Sequence, residues 1–233
     1  MSYQDTVAQQ FGSSVSYCDY ILARQLEVLR PTHIVDFGAG GGKNGRIARE
    51  VLQSDVRLVA VEGSEKTASM LRDEGPYDEV HHALLQDWVR KDSQMYDVAI
   101  FGDVLEHLKP TEIHAVIKQC HRTFRHIIII CPLHDIFQEE TYGNPLEIHQ
   151  TYITSNFFDR YNWGEKHIIK GSYWTIMYVH IDTAPKPAES MRRKLSQNIF
   201  HGSMVVLQPL GLARPLVNVL KRYFLKYKKL LRG

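Results

Sequence analysis

The sequence lacks the features that mark several protein classes. Its three cysteines, Cys18, Cys120 and Cys131, form no C-x-x-C pair, which argues against a disulfide scaffold and a structural zinc site. No apolar run approaches the roughly 18–20 residues of a membrane-spanning helix, and the densest run is Ile127–Cys131. The N-terminus has no basic region followed by an apolar core. We therefore expect no secretory signal and a cytoplasmic protein.

Acidic residues are almost absent from the end of the chain. Residues 186–233 contain 11 basic residues and one acidic residue, a net charge of +10, whereas residues 1–185 contain 17 basic and 25 acidic residues, a net charge of −8. With 233 residues, 44% of them hydrophobic, the chain fits one α/β domain and not a disordered or fibrous protein. We predict a domain over residues 1–184 and a basic extension over residues 185–233.

Strand-like and helix-like patterns alternate along the body of the chain. The helices are predicted over 44–52, from an N-cap at Ser64 to Leu71, and after a cap at Thr111. The strands are predicted at 33–37, 57–61, 80–85, 97–101 and 126–131, followed by a hairpin of 167–170 and 173–181. This order predicts a Rossmann-like, doubly wound sheet of seven strands, mostly parallel, with an antiparallel terminal hairpin. The basic extension is predicted to be helical.

A glycine-rich turn, Asp36–Gly42, follows the first predicted strand and opens a helix. It fails the P-loop pattern, because Asn44 stands where Ser or Thr is required. The spacing G-x-G-x-x-G over 40–45 satisfies the dinucleotide pattern, so the glycines alone leave an NAD site open. Asp36 distinguishes the two, since a carboxylate is unfavourable beside a pyrophosphate and favourable beside a cation. S-adenosylmethionine, which carries an ammonium and a sulfonium, is such a ligand.

Residues 30–182 resemble the class I S-adenosylmethionine-dependent methyltransferases. The resemblance rests on the segments VDFGAGGG, VAVEGS, LLQDW and YDVAIFGDVLEHL and on the closing strand pair, and V-L-E-H-L is most similar to the branch acting on small molecules. The resemblance implies that the methionine part of the cofactor lies against Asp36, Gly38, Ala39 and Gly40, and the ribose against Glu62 and Gly63. It also implies that the adenine lies against Gln86, Asp87 and Trp88, and the sulfonium against Gly102 and Asp103.

Methyl transfer mainly requires that donor and acceptor are held in line, and a hydroxyl acceptor is helped by a general base. Asp103 and His107 follow the fourth strand, and His134 follows the fifth, at the sheet edge where ligands bind in such folds. We predict these three as catalytic residues, with His134 as the best-placed base. The alternative for His107 and its neighbour Glu106 is that they stabilise the turn.

The polar segment 138–151 is long for a loop, and residues 132–162 are predicted to form a lid or substrate insertion. It resembles a G-N-P-x-E-x-H segment of methyltransferases from surface-glycan gene clusters, which implies a sugar-like acceptor bound by Tyr142, Asn144, Glu147 and His149. The alternative is a well hydrogen-bonded structural insertion.

The pattern Asp103-x-x-Glu106-His107, with His134 or His149, also offers metal ligands of the kind that some methyltransferases of RNA termini use. Because 12 histidines are scattered along the chain, coincidence is easy, and we predict no metal from the sequence.

The two ends of the chain have separate interpretations. Residues 1–30 are predicted to form a covering helix. Residues 199–233 combine apolar positions at helical spacing with Lys and Arg, which predicts an amphipathic helix on an anionic membrane surface. A homodimer contact, a contact with the acidic body and RNA binding are the alternatives, and nucleic acid is disfavoured because every chemical motif lies in the acidic body.

The sequence as a whole predicts an S-adenosylmethionine-dependent methyltransferase that methylates an oxygen of a glycan, a glycolipid intermediate or another small polar acceptor. The alternatives are a metal-assisted methyltransferase of RNA termini or amines, an NAD-dependent oxidoreductase, and an inactive binding protein with this fold.

Overall fold

The computed structural model describes residues 16–53, 56–133, 144–161, 163–171 and 175–183. Its strands are β1 (His33–Phe37), β2 (Arg57–Glu62), β3 (Glu79–His82), β4 (Tyr96–Gly102), β5 (Phe124–Pro132), β6 (Trp163–Lys170) and β7 (Thr175–Asp182). Its α-helices are α1 (Asp19–Leu29), α2 (Lys43–Leu52), α3 (Glu65–Glu74), α4 (Leu85–Lys91) and α5 (Pro110–Thr123). Short 3-10 turns cover Ser16–Cys18, Leu105–His107 and Pro145–Glu147.

The strands form one seven-stranded sheet in the order β3-β2-β1-β4-β5-β7-β6. Strands β1 to β5 are parallel, and β7 pairs antiparallel with β5. The predicted doubly wound sheet with a reversed closing strand is confirmed. Because β1 lies between β2 and β4, the carboxyl ends of these three strands meet at one edge, where the strand order reverses.

The sheet is covered on both faces, as the run of isoleucines in β5 predicts. Ile127 and Ile129 pack into the hydrophobic cluster beside α4 and α5. Ile128 and Ile130 point the other way, into the cluster beside α1 and α2. All four are almost completely buried. This central layer fixes the edge that carries the polar residues described below.

Several predicted boundaries are wrong, and β6 begins at Trp163 and not at residue 167. The third strand ends at His82, and Leu85 begins α4, because Leu85, Trp88 and Val89 are buried at helical spacing and not on alternate positions. Helix α5 begins one residue before Thr111, at Pro110, a residue well suited to a first helical position. The carboxylate of Glu112 accepts the backbone N–H of Lys109 at 2.9 Å and thereby caps this end.

The ends of the chain are only partly described. Helix α1 lies within the segment 1–30 that was predicted to form a covering helix, and its buried side chains include Leu22 and Leu26. Residues 1–15, and residues 184–233 with the predicted basic extension, lie outside the described residues, so the proposed division at 184 stays a prediction. Within the described part of the chain, no helix is both long enough and apolar enough to span a bilayer.

Candidate active site

The glycine-rich turn joins β1 to α2 through three residues in the left-handed backbone region. Gly38, Gly40 and Gly42 have φ of 64°, 51° and 77°, values that residues with a Cβ rarely adopt. Gly38 is also crowded, since a Cβ there would lie 2.5 Å from Cγ2 of Val104. The backbone N–H of Gly38 donates to the carbonyl of Val61 at 2.8 Å. The turn is therefore held against the ends of β2 and β4.

Asp36 is buried beneath this turn, with 2% of its surface exposed. Its two carboxylate oxygens accept hydrogen bonds from the Tyr77 hydroxyl at 2.6 Å and from Nδ2 of Asn44 at 3.2 Å. Burial raises the pKa of Asp36 to about 6, against the opposing effect of these two hydrogen bonds. The site therefore contains a desolvated carboxylate that a cation would stabilise in its charged form.

The third glycine of the G-x-G-x-x-G spacing, Gly45, has a packing role. A Cβ on Gly45 would lie 2.6 Å from the ring of Tyr77, so only glycine lets this ring reach Asp36. The spacing that left an NAD site open is thus explained by the packing of one tyrosine.

Glu62, at the end of β2, ties the turn to the next loop. Its Oε2 accepts the backbone N–H of Gly40 at 3.0 Å, and its Oε1 accepts that of Ser64 at 2.8 Å. Burial raises the pKa of Glu62, while these backbone donors act in the opposite direction. A carboxylate has about four acceptor positions, and the backbone N–H of Gly63 also acts on this one, so one position remains for a ribose hydroxyl.

Sequence reasoning missed Tyr77 and Asn44, the two donors to Asp36. Asn44 also packs against the end of β4, where a Cβ on Gly102 would lie 2.5 Å from its Nδ2. Tyr77 lies 41 residues from Asp36 in the loop between α3 and β3, and no spacing rule connects them. The local signal that could have found Tyr77 was Gly45, a glycine inside an otherwise regular helix.

The residues predicted for adenine lie in or beside α4, and two of them have other partners. Trp88 is buried in the core, where its ring makes edge contact with Phe37 at 5.5 Å between centroids. The Asp87 carboxylate pairs with Arg90, and Gln86 lies in the first turn of α4. Asp87 and Trp88 also line an open groove of about 390 Å³ that Asp36 does not line. The contacts of Trp88 are those of a core residue, and this arrangement does not support its stacking on a purine.

A second polar cluster lies at the end of β4. Asp103 has a φ of 49° and donates its backbone N–H to the carbonyl of Ile130 at 2.8 Å, which joins the ends of β4 and β5. The following turn, Leu105–His107, buries Glu106 to 2% exposure. Burial and the neighbouring Asp103 carboxylate raise the pKa of Glu106 well above its usual range.

The segment 144–151 docks on this turn through hydrogen bonds. The backbone N–H groups of Gln150 and Thr151 both donate to the carbonyl of Glu106, at 2.8 and 3.0 Å. The Gln150 side chain donates to the carbonyl of His107 at 2.7 Å. At the other end of the segment, Leu146 faces Gly63, where a Cβ would lie 2.9 Å from Cδ1 of the leucine. The segment therefore connects the ends of β2 and β4.

Of the predicted acceptor residues, the structure describes three. The Asn144 side chain donates to Glu147 at 3.3 Å and accepts the backbone N–H of Leu146 at 3.1 Å. Burial is the main cause of a raised pKa for Glu147, and the Glu62 carboxylate adds to it. The ring of His149 lies 4.9 Å from that of His107. Tyr142 and the predicted base His134 lie outside the described residues.

His107 is held as a neutral imidazole. Its Nδ1 lies 3.2 Å from the carbonyl of Ile148, and because a carbonyl only accepts, Nδ1 carries the proton. Burial lowers the pKa of His107 to about 4, and His149 acts in the same direction. A pKa this far below neutrality is poorly matched to a general base near pH 7.

Comparisons with known proteins agree with this geometry. Residues 35–127 match a family model described as a methyltransferase domain. No curated protein matches the chain in sequence. Among solved structures, an S-adenosylmethionine-dependent methyltransferase from Archaeoglobus fulgidus is similar at 14% identity and a TM-score of 0.51, over 73% of this chain and 79% of that one.

Two further structures are similar at 14% identity. One is the 1,6-didemethyltoxoflavin-N1-methyltransferase of Burkholderia thailandensis with its substrate and S-adenosylhomocysteine bound (TM-score 0.55; 73% of this chain, 80% of that one). The other is the N-terminal domain of EvdMO1 in the presence of S-adenosylhomocysteine and D-fucose (TM-score 0.54; 75% and 85%).

The sheet order and the polar edge define a class I methyltransferase fold. The family-model match identifies residues 35–127 as a methyltransferase domain, so the chain is a methyl-transferring enzyme.

Proposed function

We propose that this enzyme transfers a methyl group from S-adenosylmethionine to an oxygen of a glycan, a glycolipid intermediate or another small polar acceptor. The observation that carries the proposal is the pair of buried carboxylates at the ends of β1 and β2. Asp36 and Glu62 are 2% and 8% exposed, and the glycine turn lies between them. The buried Asp36 carboxylate favours a cationic ligand and disfavours a pyrophosphate, and Glu62 suits the ribose of the cofactor.

The residues present fit this cofactor. Bound S-adenosylmethionine supplies an activated methyl group on a sulfonium with a good leaving group. The chain then needs to bind and orient, which suits the pre-formed hydrogen bonds of Asp36 and Glu62. Asp36 would face the ammonium, and Glu62 would accept a ribose hydroxyl. Asp103, on the end of β4, would lie on the sulfonium side.

A sugar-like acceptor is supported by the polar character of the segment 144–151. Asn144, Glu147 and His149 offer an amide, a carboxylate and an imidazole beside Glu106 and His107. A similar structure was crystallised in the presence of D-fucose, although another acts on a toxoflavin precursor. We retain His134 as the candidate base, since His107 is held neutral with a low pKa.

Calorimetry with S-adenosylhomocysteine and with NAD tests the cofactor. We expect the full-length protein to bind S-adenosylhomocysteine and not NAD. Absence of S-adenosylhomocysteine binding would overturn the proposal at its root.

A methyl-label assay over glycans, lipid-linked sugars, RNA and amines then tests the acceptor. We expect label on the sugar class, and lower turnover with unchanged S-adenosylhomocysteine binding in His134→Ala. Label found only on RNA termini or amines would replace the acceptor class. The cluster of Glu106, His107 and His149 is the observation that favours this second candidate.

We further propose a cytoplasmic enzyme that residues 199–233 bring to an anionic membrane surface.

A further inference from the structure

We propose that Glu106, His107 and His149 form a binding site for one divalent transition-metal ion at the acceptor side of the active site. One candidate ligand atom from each residue lies within 4.8 Å of the other two. A carboxylate and two imidazoles are a donor set of catalytic zinc and non-haem iron sites, which leave further coordination positions open. The site therefore suits a metal that binds a substrate as well as the protein.

Glu106 gives the first independent argument. Its side chain is 2% exposed, and its Oε2 has no hydrogen-bond partner among the described residues. A buried carboxylate oxygen without a partner is costly, and such groups in native proteins commonly serve a function or meet an ion. The nearby Asp103 carboxylate adds negative charge to the same place. A cation would relieve both the missing contact and the repulsion.

The histidines give the second argument. Metal-binding histidines characteristically donate their other ring N–H to a backbone carbonyl or a carboxylate, which fixes the tautomer. His107 does so, with Nδ1 facing the carbonyl of Ile148 at 3.2 Å. Its Nε2 therefore keeps the lone pair that a metal needs. The ring of His149 stands at 64° to that of His107, an edge arrangement that permits two nitrogens to converge on one point.

The distances require a small closure. Metal–nitrogen and metal–oxygen bonds of about 2.0–2.2 Å hold neighbouring donors about 3–4 Å apart. The three groups lie within 4.8 Å, so they need to close by about 1 Å. His149 is half-buried in a segment without regular secondary structure, where a rotamer change provides this movement. The two hydrogen bonds from the backbone N–H groups of Gln150 and Thr151 to the carbonyl of Glu106 hold the two segments together during this movement.

The role of the ion rests on the proposed function, whereas the site itself does not. Open coordination positions would bind two oxygens of a polyhydroxylated acceptor and make one hydroxyl more acidic. This assigns the segment 144–151 a second task beyond hydrogen bonding, namely to supply one metal ligand.

The test is a titration of chelator-treated, full-length, untagged protein with Co²⁺ and Zn²⁺, without cofactor or acceptor. We expect one ion per chain, with a visible absorption band for Co²⁺ that Zn²⁺ displaces. His149→Ala and Glu106→Gln should each weaken binding at least about tenfold. His33→Ala is the matched control, because His33 is exposed at the amino end of β1, and it should leave the titration unchanged.

Binding that is absent, or equal in wild type and in both site variants, would overturn the metal site. His149→Ala spares the core, and Glu106→Gln keeps the side-chain volume, so thermal melting of both variants verifies that a lost titration is not lost folding. Binding of S-adenosylhomocysteine is measured on the same samples. A protein that binds Co²⁺ but not S-adenosylhomocysteine would contradict the proposed function alone, and the reverse result would contradict the metal site alone.

Discussion

The two halves of the polar edge are built in different ways. At the end proposed to bind the cofactor, called the cofactor end, each carboxylate oxygen of Asp36 and Glu62 accepts a hydrogen bond from the chain itself. At the acceptor end, Glu106 is equally buried but has one oxygen without a donor among the described residues. The cofactor end is thus pre-organised by short backbone segments, whereas the acceptor end depends on a docked segment and on whatever it binds.

This difference separates what a common cofactor requires from what a particular acceptor requires. Hydrogen bonds that pre-organise a ligand site reduce the ordering cost of binding. A site with an unsatisfied buried acid instead gains most when its ligand arrives. Binding of S-adenosylhomocysteine therefore reports on the cofactor end, and binding of Co²⁺ reports on the acceptor end.

The largest effect is expected from Gly38→Ala. A Cβ at φ +64° would lie 2.5 Å from Cγ2 of Val104, and the left-handed conformation alone costs about 1–2 kcal/mol. We expect S-adenosylhomocysteine binding to be lost and the free energy of unfolding to fall by about 3 kcal/mol. Calorimetry and chemical denaturation measure the two.

The double variant Gly38→Ala/Val104→Ala is the control for this change. It removes the 2.5 Å contact with Cγ2 but leaves the 2.8 Å contact with Cβ of residue 104 and the backbone strain, so it should recover only part of the stability. A single variant that binds S-adenosylhomocysteine like the wild type would show that the turn is not part of the cofactor end.

Asp36→Asn should weaken S-adenosylhomocysteine binding by about tenfold or more and yet stabilise the fold. The folded state holds the Asp36 proton more tightly than the unfolded state, because its pKa is about 6 against 3.8. Stability is therefore lost as the pH rises from about 4 to above 6, by about 3 kcal/mol. The neutral amide escapes this loss, and at pH 8 we expect a gain of about 1–3 kcal/mol.

The pH dependence of binding sharpens the same point. At pH 5 a carboxyl with a pKa of about 6 is roughly one-tenth ionised, so wild-type affinity should be about tenfold lower than at pH 7.5. Asp36→Asn should show a flat profile. Asp97→Asn, at the opposite edge and bonded to Thr32, should lower stability and leave S-adenosylhomocysteine binding intact. If the affinity of Asp36→Asn for S-adenosylhomocysteine still depended steeply on pH, a group other than Asp36 would be responsible.

The smallest effect on either half is expected from the basic extension. Changing Lys226, Lys228 and Lys229 to Gln should leave both titrations unchanged. Binding to anionic liposomes at low salt should weaken about 100-fold, since each lysine near such a surface contributes about 1 kcal/mol. Sedimentation with vesicles containing phosphatidylserine measures this. Wild-type protein that ignores such vesicles would refute the membrane role and leave a homodimer contact or a contact with the acidic body.

The cofactor end could largely be predicted from the sequence, because its residues follow strand ends at short range. Asp36, Gly38 and Glu62 needed only the rule that parallel strands share a carboxyl edge. Tyr77 could not be predicted, since it reaches Asp36 from a loop 41 residues away. Helix α4 was missed in part because a short apolar run such as Ala83–Leu85 fits a strand as well as a helix.

The acceptor end could be predicted as a list of residue types but not as an arrangement. The motif at Asp103–His107 and the segment with His149 were both recognised, yet nothing in their spacing says that Gln150 and Thr151 bond to Glu106. These two hydrogen bonds are a tertiary contact between irregular segments, whose sequences have no helical or strand periodicity from which the contact could be predicted. The sequence offered Glu106 and His107 with either His134 or His149, and it is these two hydrogen bonds that hold the segment of His149 beside Glu106 and His107.

The double acceptance by Glu62 has a consequence for redesign. Since both oxygens take a backbone N–H, a glutamine would turn an amide towards Gly40 or Ser64 and place two donors face to face. A neutral side chain of the same shape therefore cannot make both hydrogen bonds to Gly40 and Ser64, so Glu62 is a poor position to change when a different cofactor analogue is to be bound. A search for altered cofactor preference is better directed at Leu146 opposite Gly63, a contact made by side-chain carbon alone.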